Sequence, residues 1–339
     1  MKKIDKTAII KNSKLESINV TIKKNVKLTN VQIKAKKLFI GENSILIDCQ
    51  IFSEGEVIIG KNCEIKEQTI MNAFRGITIG SRCIIDRNVT IGGMQSEQSE
   101  ISIGDDCVIL YRSYLNTTRK ILIGNNVGIG GYSLIFTHSA WPNILNGSPN
   151  KFGDVVVDDN VWIPWNVVIL PGVNIGKNSS IGTNSTVTKD VPKNSFVAGN
   201  PAKIKQTSNN KKVLTKTKKN SLVLKILDDF HNYSQEFLKI PNKMEIKNSL
   251  KGKSSNNKKS DKQNVILSFK NSLLIYALTL DPNLNNKSSI LVSFKIPQKF
   301  KSLKTQEWIE LDSLNANILS DTGKNFSSFI RRYGIRLKI

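Results

Sequence analysis

The sequence predicts a mainly β protein, in which short strands coil around a triangular core before a linker helix and a small β-rich module. Three observations predict it. Aliphatic residues recur every six positions up to about residue 205, small residues recur between them, and the regularity then gives way to Lys-rich polar segments. Because the chain has 339 residues, more than a typical single domain, we expect two domains.

The six-residue period is the strongest local signal. The longest uninterrupted run is Val157, Ile163, Ile169, Ile175, Ile181 and Val187. Shorter runs start at Ile40, Ile79, Ile103 and Ile123, and weaker steps extend the pattern toward the N-terminus. An amphipathic helix needs apolar residues every three or four positions, whereas this spacing with Gly, Asn and Asp between suits short strands joined by sharp corners. Three such sides close a coil of about 18 residues, which buries its aliphatic side chains on the coils above and below.

Small residues occupy the fourth position after many of the large aliphatic ones, so the first and fifth positions of each unit are expected to point inward. The pattern predicts that three of the four cysteines, Cys63, Cys83 and Cys107, are small core residues. The fourth is Cys49, and no cysteines form a CxxC pair or a cluster with zinc spacing. No metal site is therefore expected.

The unit [Ile/Leu/Val]-Gly-x-x-[small]-x, as in "IGEN", "IGKN" and "IGNN", resembles the hexapeptide-repeat acyltransferases. The likeness is strongest in "VVVDDNVWIPWNVVILPGVNIGKNSSIGTNSTVTKDVPKNSFVAGNPAKIK", residues 155–205, which resembles the maltose, galactoside and serine O-acetyltransferases. The resemblance implies a left-handed parallel β-helix over residues 1–205. The left hand follows from the resemblance alone, because ordinary parallel crossovers are right-handed.

A loop interrupts the repeat around one of only two histidines. The step after Ile135 should land near residue 141, but the pattern resumes at Val157, so residues 136–154 are expected to leave the coil. Loops on rigid scaffolds commonly carry function. Imidazole titrates near neutral pH and can take a hydroxyl proton, and the resembling enzymes place a catalytic histidine on this loop. His138 is the expected general base; the alternative is a histidine that only packs or caps. Trp141 is expected to contact the acceptor.

The resemblance also implies a groove for acetyl-CoA as acyl donor. The positions matching that groove are Trp162, Thr183, Thr188, Lys189 and Lys203. A lysine ammonium is a suitable point charge for phosphate. The chain departs from the family at "VWIPW", where Pro164 has no N–H to donate and Trp165 is expected to stack on the coenzyme or narrow its channel. The alternative for each position is a solvated rim residue.

A second departure concerns the acceptor. Relatives carry an asparagine that orients the acceptor or the histidine, and the six-residue register places this position near Arg112, with Asn116 close by in "ILYRSYLN". Both residues are expected to bind the substrate, and an arginine there could hold an acidic acceptor.

The second half divides into a linker and a module. Residues 206–264 form a Lys/Asn-rich linker with an amphipathic helix near 221–240. Residues 265–339 contain "VILSF", "SLLIYALTL", "ILVSFKI" and "FIRRYGIRLKI", apolar runs typical of strands. The module is expected to serve either recognition or packing and oligomerisation.

The net charge is +23, of which residues 1–205 contribute +8 and residues 206–339 contribute +15. Such an excess suits a polyanion, an anionic membrane surface or an acidic substrate, or is simply a solvated tail. The basic half lacks interleaved aromatics, so no specific nucleic acid is expected. The N-terminus does not resemble a secretory signal, and the longest apolar run falls far short of the roughly 20 residues of a spanning helix. A cytoplasmic location is expected.

The resemblance implies a homotrimeric, acetyl-CoA-dependent O-acetyltransferase, with each site between neighbouring coils. The acceptor is expected to be a hydroxyl, or an amine, of a sugar used in cell-surface polysaccharide synthesis. A metal enzyme on the same fold would need several histidines, and only His138 falls in the coil. The remaining alternative is a non-catalytic scaffold whose basic C-terminal part binds a polyanion or membrane surface.

Overall fold

A computed structural model describes residues 2–139, 143–207, 214–248, 263–269, 272–276, 289–303, 305–330, 335 and 337. The chain forms two compact units, Met1–Asn210 and Lys211–Ile339. The first unit is a parallel β-helix and the second is β-rich, so the predicted fold class is confirmed. None of the helices in the described part of the chain is long and apolar enough to span a membrane.

The first unit consists of short strands. Its first fifteen strands are β1 Lys2–Ile4, β2 Ile9–Lys11, β3 Lys14–Ile22, β4 Lys27–Thr29, β5 Gln32–Ile40, β6 Ile45–Ile47, β7 Cys49–Phe52, β8 Glu56–Ile59, β9 Glu64–Ile65, β10 Thr69–Asn72, β11 Gly76–Ile79, β12 Ile84–Ile85, β13 Thr90–Ile91, β14 Glu100–Ile103 and β15 Val108–Ile109. The following strands are β16 Tyr114–Leu115, β17 Ile121–Ile123, β18 Gly128–Ile129, β19 Leu134–Ile135, β20 His138–Ser139, β21 Lys151–Phe152, β22 Val155–Val157, β23 Trp162–Ile163, β24 Val168–Ile169, β25 Asn174–Ile175, β26 Ser180–Ile181, β27 Thr186–Val187, β28 Ser195–Gly199 and β29 Ala202–Thr207. A 3₁₀ turn spans Ile144–Asn146.

These strands stack into three faces. The first face runs from the start of β5 through β7, β10, β13, β16, β19 and β24 to β27. The second runs from the end of β5 through β8, β11, β14, β17 and β22 to β25. The third runs from β2 through β4, β6, β9, β12, β15, β18, β23 and β26 to β28, and β29 closes it by pairing antiparallel with β28. Each turn of the coil therefore visits the third, first and second face in succession.

Asparagines make the corners possible. One residue at many corners adopts a left-handed backbone conformation, which Asn tolerates better than most residues. Asn126, Asn160, Asn178 and Asn194 occupy one such corner in successive coils. Their amides form a ladder in which each Nδ2 donates to the next Oδ1 at 2.8, 3.1 and 3.0 Å. The sequence repeat thus satisfies both the backbone geometry and the side-chain hydrogen bonds of the turn.

The small position of the repeat is polar but satisfied. Ser44 Oγ donates to Gly60 O at 2.8 Å, and the Cys63 and Cys83 thiols lie 3.0 Å from the carbonyl oxygens of Gly80 and Gly104. All four cysteines are free and buried. Burial raises the pKa of Cys49 to about 12. The predicted core role of the three repeat cysteines is confirmed, and Cys49 shares it.

Stacked glycines set the separation of the coils. A Cβ added to Gly60 would lie 2.6 Å from the backbone carbonyl atoms of Gly80, whereas one added to Gly92 would lie 3.7 Å from Asn72. We therefore expect Gly60→Ala to lower the free energy of unfolding by about 1–3 kcal/mol, because backbone cannot move aside without separating two coils. Gly92→Ala is the matched control and should change it by less than about 0.5 kcal/mol. Urea titrations of both variants check this, and equal midpoints would contradict it.

The second unit is a mixed sheet with helices. Its elements are α1 Lys216–Glu236, β30 Asn242–Asn248, β31 Gln263–Phe269, β32 Ser272–Tyr276, β33 Ser289–Ser293, α2 Gln298–Lys301, β34 Glu307–Glu310, β35 Asn315–Asn317 and α3 Asp321–Ile330. The strands lie in chain order, and β32, β33 and β34 run parallel. Phe230 of α1 packs against Phe326 and Phe329 of α3 in one core with residues of the sheet.

Three local expectations differ from this unit. The helix expected at 221–240 runs instead over Lys216–Glu236. It begins earlier because Thr215 caps it by accepting a hydrogen bond from Lys218 N. The helix and β30 belong to the unit's core and sheet rather than to a linker, since α1 buries Leu227 and Phe230 there and β30 pairs with β31. The run expected as a strand from Phe329 instead begins inside α3, whose Phe326, Phe329 and Ile330 share one buried side.

Candidate active site

His138 lies on a loop that leaves the coil between the first and second faces, where the interrupted repeat predicts it. Two short antiparallel strands form the base of that loop, with His138 opposite Phe152 and Ser139 opposite Lys151. The imidazole is half-buried and stacks on the Phe152 ring, with centroids 6.0 Å apart and planes at 23°. The ring is therefore held by two sides of the loop while part of it stays accessible.

Asn116 fixes the orientation of that imidazole. It follows β16 in the preceding coil and is 3% exposed. Its Oδ1 lies 3.0 Å from His138 Nδ1 and accepts a hydrogen bond from Thr118 N at 3.2 Å. Since Thr118 N can only donate, the Asn116 atom facing His138 is the oxygen, and Nδ1 must therefore carry the proton. The lone pair of the neutral ring then resides on Nε2, for which no described residue provides a hydrogen-bond partner.

Hydrogen bonds to Tyr114 and Thr137 hold Asn116 in place. Its Nδ2 donates to the Tyr114 hydroxyl at 2.8 Å, and the Thr137 hydroxyl donates to the Asn116 backbone carbonyl at 2.7 Å and lies 3.3 Å from Asn116 Oδ1. Gly93 leaves the room this requires, because a Cβ there would lie 2.9 Å from Asn116 Oδ1 and 2.7 Å from Thr118 Oγ1. These contacts hold the Asn116 side-chain amide in a single orientation, with its oxygen toward His138.

A second loop, 92–99, leaves the coil at the same corner two coils earlier, between β13 and β14. Met94 N donates to Thr118 Oγ1 at 3.1 Å and Ser96 Oγ donates to Thr118 O at 3.1 Å, which ties this loop to the intervening coil. Between the two loops lies a groove of about 460 Å³ lined by residues 94–98, Thr118, Arg119 and Phe152. We call it the corner groove. The sequence pattern did not predict this groove, although the long step from Ile91 to Ile103 indicates an inserted loop.

Arg119 lies at this corner too, although the sequence pattern did not predict it as a site residue. It is half-buried, and its guanidinium lies 5.6 Å from the Phe152 ring centroid. The backbone N–H of Arg119 donates to Thr137 Oγ1 at 2.9 Å. Phe152 therefore has Arg119 and His138 as neighbours, and it also lines the corner groove. An arginine and a histidine thus share one aromatic neighbour at this corner.

The structure places Thr188, Lys189 and Lys203 together. They line a cavity of about 350 Å³ at the C-terminal end of the coil, where β29 folds back on β28 and pairs Lys203 with Ala198. Thr188 follows β27 at the corner between the first and second faces, the corner that also carries His138. Both lysine side chains are exposed, and no described carboxylate forms an ion pair with either.

The other predicted coenzyme residues lie elsewhere on the coil. Trp165 and Thr183 take equivalent positions of successive coils at the corner between the third and first faces, where Asn184 N donates to Trp165 O at 3.2 Å. The Trp165 ring covers Gly131, whose added Cβ would lie 2.4 Å from it. Trp162 points outward from the third face over Gly128. Both tryptophans are nearly half exposed.

Arg112 lies at this same corner, not beside the histidine. Its guanidinium lies 5.0 Å from the Tyr111 ring centroid and its side chain is exposed. Asn116, on the other side of the two-residue strand β16, is the residue that contacts His138. The register therefore identified the right coil but placed the asparagine four residues too early. Trp141 lies outside the described residues, and within the described ones no group of three or more His, Cys, Asp or Glu could hold a metal ion.

Comparisons with known proteins agree with the repeat. A family model described as the bacterial transferase hexapeptide (six repeats) matches residues 154–189. A galactoside O-acetyltransferase from Lactococcus lactis subsp. lactis is 41% identical over 73 residues, which is 22% of this chain and 35% of that protein. The chain spans about a quarter to a third of the length of the curated relatives it matches first.

Solved structures give weaker likenesses. A Vibrio cholerae hexapeptide-repeat acetyltransferase in complex with acetyl coenzyme A is 27% identical, with a TM-score of 0.26 over 40% of this chain and 69% of that one. A maltose O-acetyltransferase from Clostridium difficile 630 is 28% identical, with a TM-score of 0.29 over 39% of this chain and 70% of that one. The coil of this protein carries the hexapeptide repeat of the bacterial transferases over residues 154–189, and the chain is similar in sequence to the hexapeptide-repeat acetyltransferases.

Proposed function

We propose that the protein is an acetyl-CoA-dependent acetyltransferase that modifies a hydroxyl of a sugar-type acceptor, with His138 as the general base. The observation that carries the proposal is the hydrogen bond between His138 Nδ1 and Asn116 Oδ1. It leaves Nε2 as the basic atom of the ring. The likeness to a galactoside O-acetyltransferase supports the reaction type.

The chemistry that this pair supports is acyl transfer. His138 Nε2 removes the proton of the acceptor hydroxyl while its oxygen attacks the thioester carbonyl carbon. The resulting tetrahedral intermediate collapses with cleavage of the C–S bond. The imidazolium returns its proton to the departing thiolate, which gives the acetyl ester and free coenzyme A. Throughout the cycle the proton stays on His138 Nδ1 and remains hydrogen-bonded to Asn116 Oδ1, so the ring keeps its orientation.

The cavity lined by Thr188, Lys189 and Lys203 supports binding of the nucleotide end of the donor. Lys189 and Lys203 both line this cavity, and neither forms an ion pair with a described carboxylate. Asp190 also lines it, but its carboxylate accepts a hydrogen bond from Asn174 N. An ammonium without an acidic partner attracts phosphate. Trp165 and Thr183, at the opposite corner of the first face, would contact the donor of a neighbouring protomer if the sites form between subunits. On the resemblance we propose a homotrimer, which light scattering coupled to size-exclusion chromatography tests.

The two lysines give a prediction that separates the nucleotide from the reacting end of the donor. Lys189→Ala/Lys203→Ala should raise the KM for acetyl-CoA about tenfold to a hundredfold, because charge-assisted hydrogen bonds to phosphate are lost. With S-acetylpantetheine, which lacks the nucleotide, the KM should change by less than about threefold.

The matched control is Lys27→Ala/Lys61→Ala, which removes the same charge from exposed positions in the first coils. Its KM values should stay at the wild-type level with both donors. An equal rise for acetyl-CoA in both double variants would contradict a specific phosphate site and indicate only a long-range charge effect.

The acceptor class and setting are also proposals. A role in cell-surface polysaccharide synthesis follows from the breadth of the resembling family, and a cytoplasmic location follows from the proposed donor, which is a cytoplasmic metabolite. Interaction of the basic C-terminal part with a membrane surface is supported by its charge of +15.

The test of the proposed function is acceptor-dependent thiol release. Purified full-length protein is incubated with acetyl-CoA and a panel of sugars and nucleotide sugars, and the free thiol and the acetylated product are both measured. Release with at least one sugar supports the proposal. Binding of neither acetyl-CoA nor any acceptor contradicts it and favours the non-catalytic scaffold.

A further inference from the structure

We propose that the corner groove is the acceptor subsite, that Arg119 determines its specificity, and that the acceptor is therefore anionic at that point, a carboxylate-bearing sugar. This inference rests on the proposed function and adds the class of substrate. It joins three observations: the groove is lined by Phe152, which stacks on the base; Arg119 has no ion-pair partner among the described residues; and the charge near Arg119 is positive.

The groove and His138 have one residue in common, Phe152. Phe152 lines the groove and stacks on His138 at a centroid distance of 6.0 Å. An acceptor in the groove has one end against residues 94–98 and the other end against Phe152, the ring that stacks on the imidazole. A volume of about 460 Å³ suits one or two sugar rings. The loop that forms the opposite wall is tied to Thr118, so this wall is present before any ligand binds.

Arg119 is the charged residue placed to read the acceptor. Its backbone is fixed by the hydrogen bond to Thr137, and its guanidinium lies over Phe152. No described carboxylate forms an ion pair with this guanidinium. The next residue, Lys120, by contrast, forms an ion pair with Glu100 at 3.1 Å. A half-buried guanidinium without an acidic partner offers its planar set of donors to a ligand carboxylate, which it can bind through two parallel hydrogen bonds.

Glu97 is the acidic residue that lines the groove within the described ranges. It lies on the exposed part of the 92–99 loop, so solvent screens its charge more than that of half-buried Arg119. The net charge that a ligand meets at the inner end of the groove, beside Arg119, is therefore positive. Glu97→Gln should strengthen the preference for an anionic acceptor, which is the opposite sign from any change at Arg119.

The experiment compares sugars that differ only in the charged group. Methyl glycosides of glucose, galactose and mannose are paired with the methyl glycosides of their uronic acids, and kcat/KM is measured for each at saturating acetyl-CoA. We expect the wild type to favour a uronic acid over its neutral partner. Arg119→Ala should lower kcat/KM for that uronic acid about tenfold to a hundredfold and for the neutral sugar by less than about threefold. Arg119→Lys should be intermediate, since an ammonium keeps the charge and loses the paired geometry.

Arg87→Ala is the matched control. Arg87 is exposed, stacks on Tyr111 with its guanidinium 5.7 Å from the ring centroid, and does not line the groove. Its loss should leave both kcat/KM values at the wild-type level. If Arg119→Ala lowers both sugars equally, or if the wild type favours the neutral sugars, the subsite assignment is overturned while the acetyltransferase proposal stands. Absence of turnover with every acceptor contradicts both.

Discussion

Replacing His138 with glutamine is expected to lower kcat about 100- to 10,000-fold, the usual contribution of a general base. Glutamine keeps a polar side chain of similar length opposite Phe152 but cannot take the hydroxyl proton. The KM for acetyl-CoA should remain near the wild-type value, because the proposed donor contacts lie at Lys189 and Lys203. Steady-state thiol release with a sugar acceptor from the panel measures both constants.

The chain supplies its own control in His231, the other of its two histidines. His231 lies on α1 and also pairs with an asparagine, Asn242, through Nδ1 and Oδ1. His231→Gln removes the same kind of contact in the second unit and should leave kcat unchanged. Equal activity of His138→Gln and the wild type would remove His138 from the mechanism.

Replacing Asn116 with alanine is expected to lower kcat about tenfold to a hundredfold, because a buried hydrogen bond to the ring and the selection of its tautomer are both lost. Since Asn116 acts through His138, the effect should fall on kcat with little change in the KM for acetyl-CoA. Asn116→Asp should recover part of the loss, as a carboxylate still accepts from Nδ1. Steady-state kinetics with one sugar acceptor measure all of these variants.

Tyr114→Phe is the companion variant. It removes the hydroxyl that Asn116 Nδ2 donates to but leaves the contact between Oδ1 and His138 intact. Its kcat should stay within about threefold of the wild type. Circular dichroism and urea titration establish that Asn116→Ala is folded. A folded Asn116→Ala protein with wild-type kcat would show that the histidine needs no partner at Nδ1.

The fold of the coil could be predicted from the sequence because each six-residue repeat determines its own local structure. An aliphatic residue, a small residue and a turn-forming residue such as Asn126 or Asn160 fix one side of a coil without reference to distant parts of the chain. The ejected loop with His138 was predicted for the same reason, as a break in the period. The 92–99 loop broke the period too, but by fewer residues, and it was overlooked.

The identity of the neighbours of His138 could not be read in this way. Asn116 and His138 are 22 residues apart, and their contact depends on how far each coil advances around the core. Coils with insertions do not keep the 18-residue step, so a position counted from the sequence alone is shifted. The count therefore placed the asparagine near Arg112 rather than at 116. The hexapeptide family model matches residues 154–189 of the coil. The helix α1 and strand β30 could be assigned to the second unit only through their packing against strands far along the chain.

The most direct test of the central claim is a single-turnover measurement of acetyl transfer. Excess protein is mixed with limiting [¹⁴C]acetyl-CoA and a saturating sugar acceptor, and the labelled ester is followed in time for the wild type and His138→Gln. Because one turnover isolates the chemical step from product release, we expect the label to reach the acceptor rapidly with the wild type and about 100-fold or more slowly with the variant. Transfer at equal rates in the two proteins would contradict the assignment of His138 as the base.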